Sequence, residues 1–225
     1  MIIPAILEKD YDKVLLYLER YSTLSRKIQI DVCDGLYVKS KTWLPNAHDH
    51  INGYNIDLEF DLMVSDPRSL LKSLYAYDAK FIIIHLSCFS DLEYRKIYSE
   101  IKSHNNIIKV GIAIKHSDEL SRVYDNYLFF DYVQIMGIRE IGEQGKTFDK
   151  NILNKIENIK NFLNKRSKSS GDMFSNQKYI QIDGAMNTNN IKLCKAAGAD
   201  SFAVGSFLKN SQNIRQDFKD LSTSF

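Results

Sequence analysis

The sequence predicts an α/β fold, a single (β/α)8 TIM barrel that spans residues 1–225. Eight short apolar runs rich in β-branched residues alternate with segments of helical period. The runs are nearly continuous in apolar residues, which is typical of parallel strands covered on both faces. The one Asn-Gly pair, Asn52-Gly53, lies in a longer connection, so no antiparallel hairpin is indicated. An open doubly wound sheet is the structural alternative.

The predicted strands are short, and three of them end at a polar residue: Asp31, His85 and Asp183. In the third strand, Asp57, Glu59 and Asp61 share one face while Leu58 and Phe60 share the other. The strands are predicted at residues 2–6, 27–31, 56–64, 81–85, 107–114, 132–136, 179–183 and 201–204.

The helices between the strands follow from apolar stripes and capping residues. Val14 and Leu18 lie on one face of the first helix. Asp66 as N-cap and Pro67 at the first helical position begin the second, and Ser117 is expected to cap a short one. The first helix is predicted at residues 11–21, and the later ones at 90–103, 149–163, 187–197 and 211–221. A mobile polar loop is predicted at 167–176.

Charge and composition exclude several classes of partner. The chain has 30 basic and 28 acidic residues without a long run of either sign, so neither nucleic acid nor a membrane surface is expected. The three cysteines are widely spaced and indicate no disulfide framework. We therefore expect a cytoplasmic protein, and a homo-oligomer is compatible with a small barrel.

Candidate catalytic residues follow from the barrel, because its active site lies at the carboxyl ends of the strands. Asp31 and Asp183 end the second and seventh predicted strands, and each comes shortly before a glycine. An isolated aspartate at such a position is more often a turn residue. Two of them on non-adjacent strands, together with Asp61, favour a common site. Asp34, next to Gly35, is instead interpreted as a turn residue.

The last two strands offer a binding site for an anion. Small residues let backbone N–H groups approach a phosphate, and helix N-termini favour negative charge. Strands seven and eight are also the usual phosphate position in these barrels. The candidate phosphate-binding residues lie after strands six, seven and eight: Gly142, Gly145, Gly184, Ala185, Gly205 and Ser206.

Six segments in order carry a family resemblance. They are I-I-P-A-I-L, Q-I-D-V-C-D-G, D-L-M-V-S-D-P, V-Q-I-M-G-I-R-E-I-G-E-Q-G-K-T-F, I-D-G-A-M and A-G-A-D-S-F-A-V-G-S. Together they resemble the ribulose-phosphate 3-epimerase family. The resemblance implies a (β/α)8 barrel that inverts C3 of a ketose phosphate through an enediolate. Asp31 and Asp183 match the family's two proton-transfer acids, and Met63 and Met136 match methionines that lie over the substrate.

The metal site departs from the family pattern. The resemblance implies a divalent metal held by two histidines and the two aspartates, but Gln29 and Asp61 stand at the histidine positions. One interpretation keeps a metal on Gln29, Asp31, Asp61 and Asp183, an all-oxygen set that suits Mg²⁺ or Mn²⁺ better than zinc. In a second the metal is absent and His85 or Lys115 is the electrophile. In a third, catalysis is lost.

Three functions are therefore weighed. The leading one is an isomerase, an epimerase that acts on a pentulose 5-phosphate or related sugar phosphate by two-base proton transfer. The alternative is a non-catalytic or regulatory barrel protein that binds phosphosugars. A decarboxylase or aldolase is less favoured, because the D-x-K-x-x-D signature of related decarboxylases is absent and no lysine is expected inside a strand core, where a Schiff-base lysine would lie. Lys115, at a strand end, is the one residue that keeps this function open.

Overall fold

The computed structural model of the chain describes residues 1–46, 48–51, 53–169 and 177–224, and it is a closed barrel of eight parallel strands. The strands follow one another around the barrel in chain order, and β1 closes it by pairing with β8. This confirms the predicted (β/α)8 barrel over the open sheet. The strands are β1 (Ile2–Ile6), β2 (Lys27–Cys33), β3 (Asp57–Met63), β4 (Phe81–His85), β5 (Lys109–Ile114), β6 (Tyr132–Met136), β7 (Tyr179–Asp183) and β8 (Ser201–Val204).

Helices cover the outside of the barrel. They are α1 (Tyr11–Ser22), α2 (Arg68–Ala76), α3 (Asp91–His104), α4 (Leu120–Asp125), α5 (Ile152–Ser169), α6 (Thr188–Ala197), α7 (Ser206–Lys209) and α8 (Ile214–Ser222). Their apolar faces pack on the outward side chains of the strands and form the main hydrophobic core. Within the described ranges, no helix has the length and apolar character that crossing a membrane would require.

Five of the eight predicted strands have the observed bounds, and β2, β3 and β5 differ by one or two residues at their ends. The helices differ at their starts, since α2 begins at Arg68 with Pro67 and not Asp66 as its N-cap, and α5 begins at Ile152 and not at residue 149. Ser117 does not cap α4, because that helix begins three residues later at Leu120, after a turn in which the Asp118 carboxylate accepts from the Lys115 backbone N–H at 3.0 Å. The polar loop predicted at 167–176 begins within α5, and residues 170–176 lie outside the described residues.

The register of the strands sets the height of the polar side chains inside the barrel. Asp31 pairs with Asp61 between β2 and β3, and Met136 pairs with Asp183 between β6 and β7. Side chains alternate along each strand, so every second residue of β2, β3, β6 and β7 points into the barrel. These strands therefore bring their polar residues together along the barrel axis.

Candidate active site

Three carboxylates meet at the carboxyl ends of the strands. Asp31 of β2, Asp61 of β3 and Asp183 of β7 each offer an oxygen, and these oxygens lie within 4.8 Å of one another. All three side chains are buried, with Asp61 fully inaccessible. The structure therefore brings together the aspartates that the sequence singled out, from strands far apart in the chain.

Gln29 bridges the two candidate proton-transfer acids. Its side-chain Nε2 donates to Asp31 Oδ1 at 2.8 Å and to Asp183 Oδ2 at 2.7 Å. Its Oε1 faces away and accepts from Gln181 Nε2 at 3.1 Å. This orientation differs from the expectation that Gln29 supplies a ligand oxygen. The reason is that the amide group of Gln181 below it requires an acceptor.

The Asp61 carboxylate is contacted on one oxygen by His85 and on the other by Gln134. His85 Nε2 lies 2.8 Å from Asp61 Oδ1, and Gln134 Nε2 donates to Asp61 Oδ2 at 2.9 Å. His85 is buried, and Tyr37 covers its ring at 5.4 Å between ring centroids. The Nζ of Lys115 lies 5.8 Å from the Tyr37 ring centroid. Both candidate electrophiles thus lie beside Tyr37.

Burial changes the pKa values of the two acids. Burial, reinforced by the charges of Asp183 and Asp61, raises the pKa of Asp31 well above its usual range. Burial and the nearby Asp61 charge raise the pKa of Asp183 to about 7. The hydrogen bonds from Gln29 oppose both changes. Because ionising all three buried carboxyl groups would place like charges side by side away from water, at least one of them holds a proton near neutral pH.

A single cavity joins the acids to the predicted phosphate-binding residues. Asp31 and Asp183 lie in its wall, and neither His85 nor Lys115 is among the described residues that line it. The eight predicted substrate-binding residues all line it: Met63, Met136, Gly142, Gly145, Gly184, Ala185, Gly205 and Ser206. Lys146, which the sequence analysis did not single out, also lines it, and its Nζ lies 2.7 Å from Glu143 Oε2.

Backbone geometry explains the small residues at this rim. Gly184 has φ +113°, and a Cβ there would lie 2.9 Å from Ile138 Cγ1, so only glycine fits the turn. Ala185 has φ +58°, the left-handed region that favours glycine. Two of the first N–H groups of α6 are not open to a ligand, because the Asn187 side chain accepts from the N–H groups of Asn189 and Asn190.

Sequence reasoning missed a polar network below the acids. Gln134 and Gln181, with Glu59 and Lys27 beneath them, are buried inside the barrel, where branched apolar residues are usual. The signal that could have found them is the alternation in β2, β3, β6 and β7, which places polar residues on the inward face. The closed barrel turns that face into an interior.

The fit to a divalent metal depends on the donor set. The three carboxylates of Asp31, Asp61 and Asp183 present oxygen atoms, which suit a hard cation. Gln29 presents N–H groups in this arrangement, and an amide N–H donates rather than ligates. The residues therefore fit a metal held by three carboxylates.

The fold and the position of the site define the class, that of (β/α)8 barrels with a polar site at the carboxyl ends of the strands. Among solved structures of similar fold is 3-keto-L-gulonate-6-phosphate decarboxylase from Vibrio cholerae. The two structures superpose with a TM-score of 0.69 at 13% sequence identity, and the match covers 100% of this chain and 96% of that one.

Within this class, the chain belongs to the ribulose-phosphate 3 epimerase family, whose profile matches residues 1–208. It is 26% identical to ribulose-phosphate 3-epimerase from Chlamydia pneumoniae over 86% of this chain and 80% of that protein. It is 28% identical to the enzyme of that name from Buchnera aphidicola subsp. Baizongia pistaciae over 84% of this chain and 79% of that protein. The family is one of epimerases, which agrees with the predicted isomerase class.

Proposed function

We propose that the protein is an epimerase that inverts C3 of a ketose phosphate, with ribulose 5-phosphate as the first substrate to test. The observation that supports this most directly is the placement of Asp31 and Asp183 in one cavity with the glycine-lined rim. Family membership and the names of the relatives support the same activity.

The proposed reaction needs two bases, because a single base returns a proton to the face from which it came. Asp31 and Asp183 come from β2 and β7, which β1 and β8 separate around the barrel. One carboxylate removes the C3 proton, and the other carboxylic acid donates a proton to the opposite face of the enediolate. In the metal-free site the pKa values of both acids are raised toward the operating pH, where general acid–base catalysis works best, and a bound cation would bring them down again.

The phosphate group of the substrate is proposed to lie against the turns after β7 and β8. Gly184 and Ala185 lie in the first turn, and Gly205 and Ser206 in the second. Gly142 and Gly145 belong to the loop after β6 that closes the same cavity, where the Gln144 amide lies against Gly205. Met63 and Met136 supply the apolar wall between the phosphate and the carboxylates.

A divalent cation is proposed to be held by Asp31, Asp61 and Asp183, with Mg²⁺ or Mn²⁺ favoured over zinc for an all-oxygen set. Such a cation would supply positive charge that stabilises the enediolate. Gln29 and Gln134 supply the remaining stabilisation of the carboxylates by donating hydrogen bonds to them.

The proposal is tested by incubating the protein with D-ribulose 5-phosphate in D₂O, with and without added Mn²⁺. We expect deuterium to enter C3 and the 3-epimer to accumulate. Absence of exchange with every pentulose and hexulose phosphate tried would overturn the proposal. Binding of those sugars without exchange would instead support a non-catalytic phosphosugar-binding protein. This alternative is motivated by the replacement of the family's two histidines by Gln29 and Asp61.

A further inference from the structure

The interior of the barrel below the carboxylates is unusual in being polar and charged. Lys27, Gln29, Glu59, Gln134 and Gln181 are all buried, with Lys27 4% exposed and the other four 0%. Buried polar groups need hydrogen-bond partners, because leaving one unpaired away from water is costly. The orientation of each amide is therefore decided by what lies on either side of it.

An ion pair occupies the base of this network. Lys27 Nζ lies 2.7 Å from Glu59 Oε2, and both side chains are almost wholly buried. Lys27 Nζ also lies 3.7 Å from the Phe81 ring centroid, and the Tyr132 hydroxyl donates to Glu59 Oε2 at 2.5 Å. The cation and the anion are thus fixed in place by rings and by each other.

The ion pair determines the orientation of Gln181. Gln181 Nε2 donates to Glu59 Oε1 at 2.8 Å, while its Oε1 lies 3.5 Å from Lys27 Nζ. A reversed amide would put oxygen against the carboxylate and N–H groups against the ammonium. Both contacts would then be repulsive, so a single orientation is stable.

Gln181 in turn determines the orientation of the two amides above it. Its Nε2 also donates to Gln29 Oε1 at 3.1 Å and to Gln134 Oε1 at 2.9 Å. Its two hydrogens therefore serve three acceptors. Because both upper amides point oxygen downward, both point nitrogen upward, Gln29 toward Asp31 and Asp183 and Gln134 toward Asp61.

We propose that the buried Lys27–Glu59 pair is a positioning element that fixes the direction of all three glutamine amides, so that donors rather than oxygens face the catalytic carboxylates. Its catalytic consequence rests on the proposed epimerase function. The orientation itself does not depend on that function. It follows that Gln29 is a hydrogen-bond donor to the two acids and not a metal ligand.

The first test is the ¹H–¹⁵N spectrum of the side-chain amides in the wild-type protein, with the Gln29 signals assigned by their loss in Gln29→Leu. Donation to two buried carboxylates predicts downfield shifts and slow exchange with solvent for both Gln29 amide protons. Signals at the positions and exchange rates of exposed glutamine amides would overturn the proposal. This test needs no variant of the ion pair and no activity.

The second test removes the pair. Glu59→Gln alone leaves Lys27 buried without a counter-charge and threatens folding, so Lys27→Met/Glu59→Gln is the main variant. We expect the Gln29 amide signals to lose their shift and protection. The control is Lys102→Met/Asp131→Asn, which removes a partly buried pair outside the barrel interior, 2.7 Å between Lys102 Nζ and Asp131 Oδ2. It should leave the Gln29 signals unchanged.

Kinetics provide a separate readout on the same two variants. We expect Lys27→Met/Glu59→Gln to lower kcat for C3 epimerisation by about 10- to 100-fold, the usual effect of losing an outer partner of a site, with little change in KM. The positioning role would be overturned if Lys27→Met/Glu59→Gln lowered kcat no more than the control does and its Gln29 amide signals stayed at their wild-type positions. If the wild-type protein exchanged no deuterium at C3 of the substrate, only the proposed epimerase function would be contradicted. The spectra of the side-chain amides would still decide the orientation of the glutamines.

Discussion

At the scale of single residues, the proposed proton transfer depends on one of Asp31 and Asp183 being ionised and the other neutral near neutral pH. Burial raises the pKa values of both acids, reinforced by the charges of Asp183 and Asp61 for Asp31 and by the Asp61 charge for Asp183, whereas the hydrogen bonds from Gln29 lower both pKa values. One ionised carboxylate and one neutral acid are what an inversion needs at each turnover.

Replacing either acid by its amide should remove the chemical step. Asp31→Asn and Asp183→Asn are each expected to lower kcat by about 10²–10⁴-fold, the usual contribution of general acid–base catalysis. The assay is C3 epimerisation of D-ribulose 5-phosphate followed by NMR. The control is Asp34→Asn, since Asp34 accepts from the backbone N–H groups of Leu36 and Tyr37 in a turn. An Asp34→Asn loss as large as the other two would contradict these assignments.

The raised pKa of Asp183 also predicts how stability depends on pH. The group titrates at about 7 in the fold against a usual 3.8, so the native state binds more protons between these values. The free energy of unfolding must then fall as pH rises from about 4 to about 7. Asp183→Asn should reduce that fall by on the order of 1–3 kcal/mol.

The measurement is urea unfolding of EDTA-treated protein at several pH values from about 3 to about 8. The two curves should converge below about pH 4, where the wild-type carboxyl is neutral in both the folded and the unfolded states, and should be furthest apart above about pH 7, with the variant the more stable. Parallel curves for the wild type and Asp183→Asn would show that the Asp183 carboxyl does not titrate in this range.

Residue-level prediction from sequence succeeded where alternation along one strand was sufficient. Asp31, Asp61 and Asp183 follow from their places at strand ends, and the structure puts them together. The amide direction of Gln29 could not be predicted, because it depends on Gln181, 152 residues away in the chain. The same limitation applies to Gln134 and Glu59, whose partners lie on other strands.

At the scale of elements, strands were easier to predict than helix starts. Strand bounds follow from apolar runs such as Tyr132–Met136, which the barrel buries completely. Helix starts depend on turn chemistry, where several polar residues compete. At α4, Asp118 and not Ser117 organises the turn, so the helix begins later than predicted.

The turn after β7 allows a matched test of backbone strain. Gly184→Ala places a Cβ 2.9 Å from Ile138 Cγ1 at φ +113°, whereas Gly145→Ala, at φ +76°, meets nothing within 4 Å. We expect Gly184→Ala to cost about 2–4 kcal/mol, from strain and overpacking together. Gly145→Ala should cost about 1 kcal/mol, from strain alone. Urea midpoints measure both, and equal costs would exclude the clash with Ile138.

At the scale of the whole molecule, the closed barrel concentrates three buried carboxylates at one end. β1 pairs with β8, so no strand among the described residues is left as a free edge of the sheet. Resemblance along most of the chain made this architecture predictable, because the apolar alternation and the six segments agree. The polar interior was signalled by the alternation along β2, β3, β6 and β7, but the pairing of Lys27 with Glu59 was not, since it joins residues of two different strands.

A bound cation should therefore stabilise the entire fold. Adding Mn²⁺ at about 100 times its Kd to EDTA-treated protein is expected to raise Tm by about 5–10 °C. Asp61→Asn should reduce this rise, because it removes one of three carboxylates. Asp200→Asn, which alters the Lys160–Asp200 pair, is the control and should keep it. An unchanged wild-type Tm would contradict a metal site at the three aspartates.

The amide of Gln29 between the two acids has one more consequence for the proposed epimerisation, in how the acids return to their starting protonation states after each turnover. A two-base inversion leaves the proton on the opposite aspartate from where it began. An amide NH₂ group donates hydrogen bonds but has no basic lone pair to relay a proton, so Gln29 insulates Asp31 from Asp183. Recovery of the starting form must then use water entering the cavity. In the proposed epimerisation, the return of the two acids to their starting protonation states is therefore a step separate from proton transfer at C3.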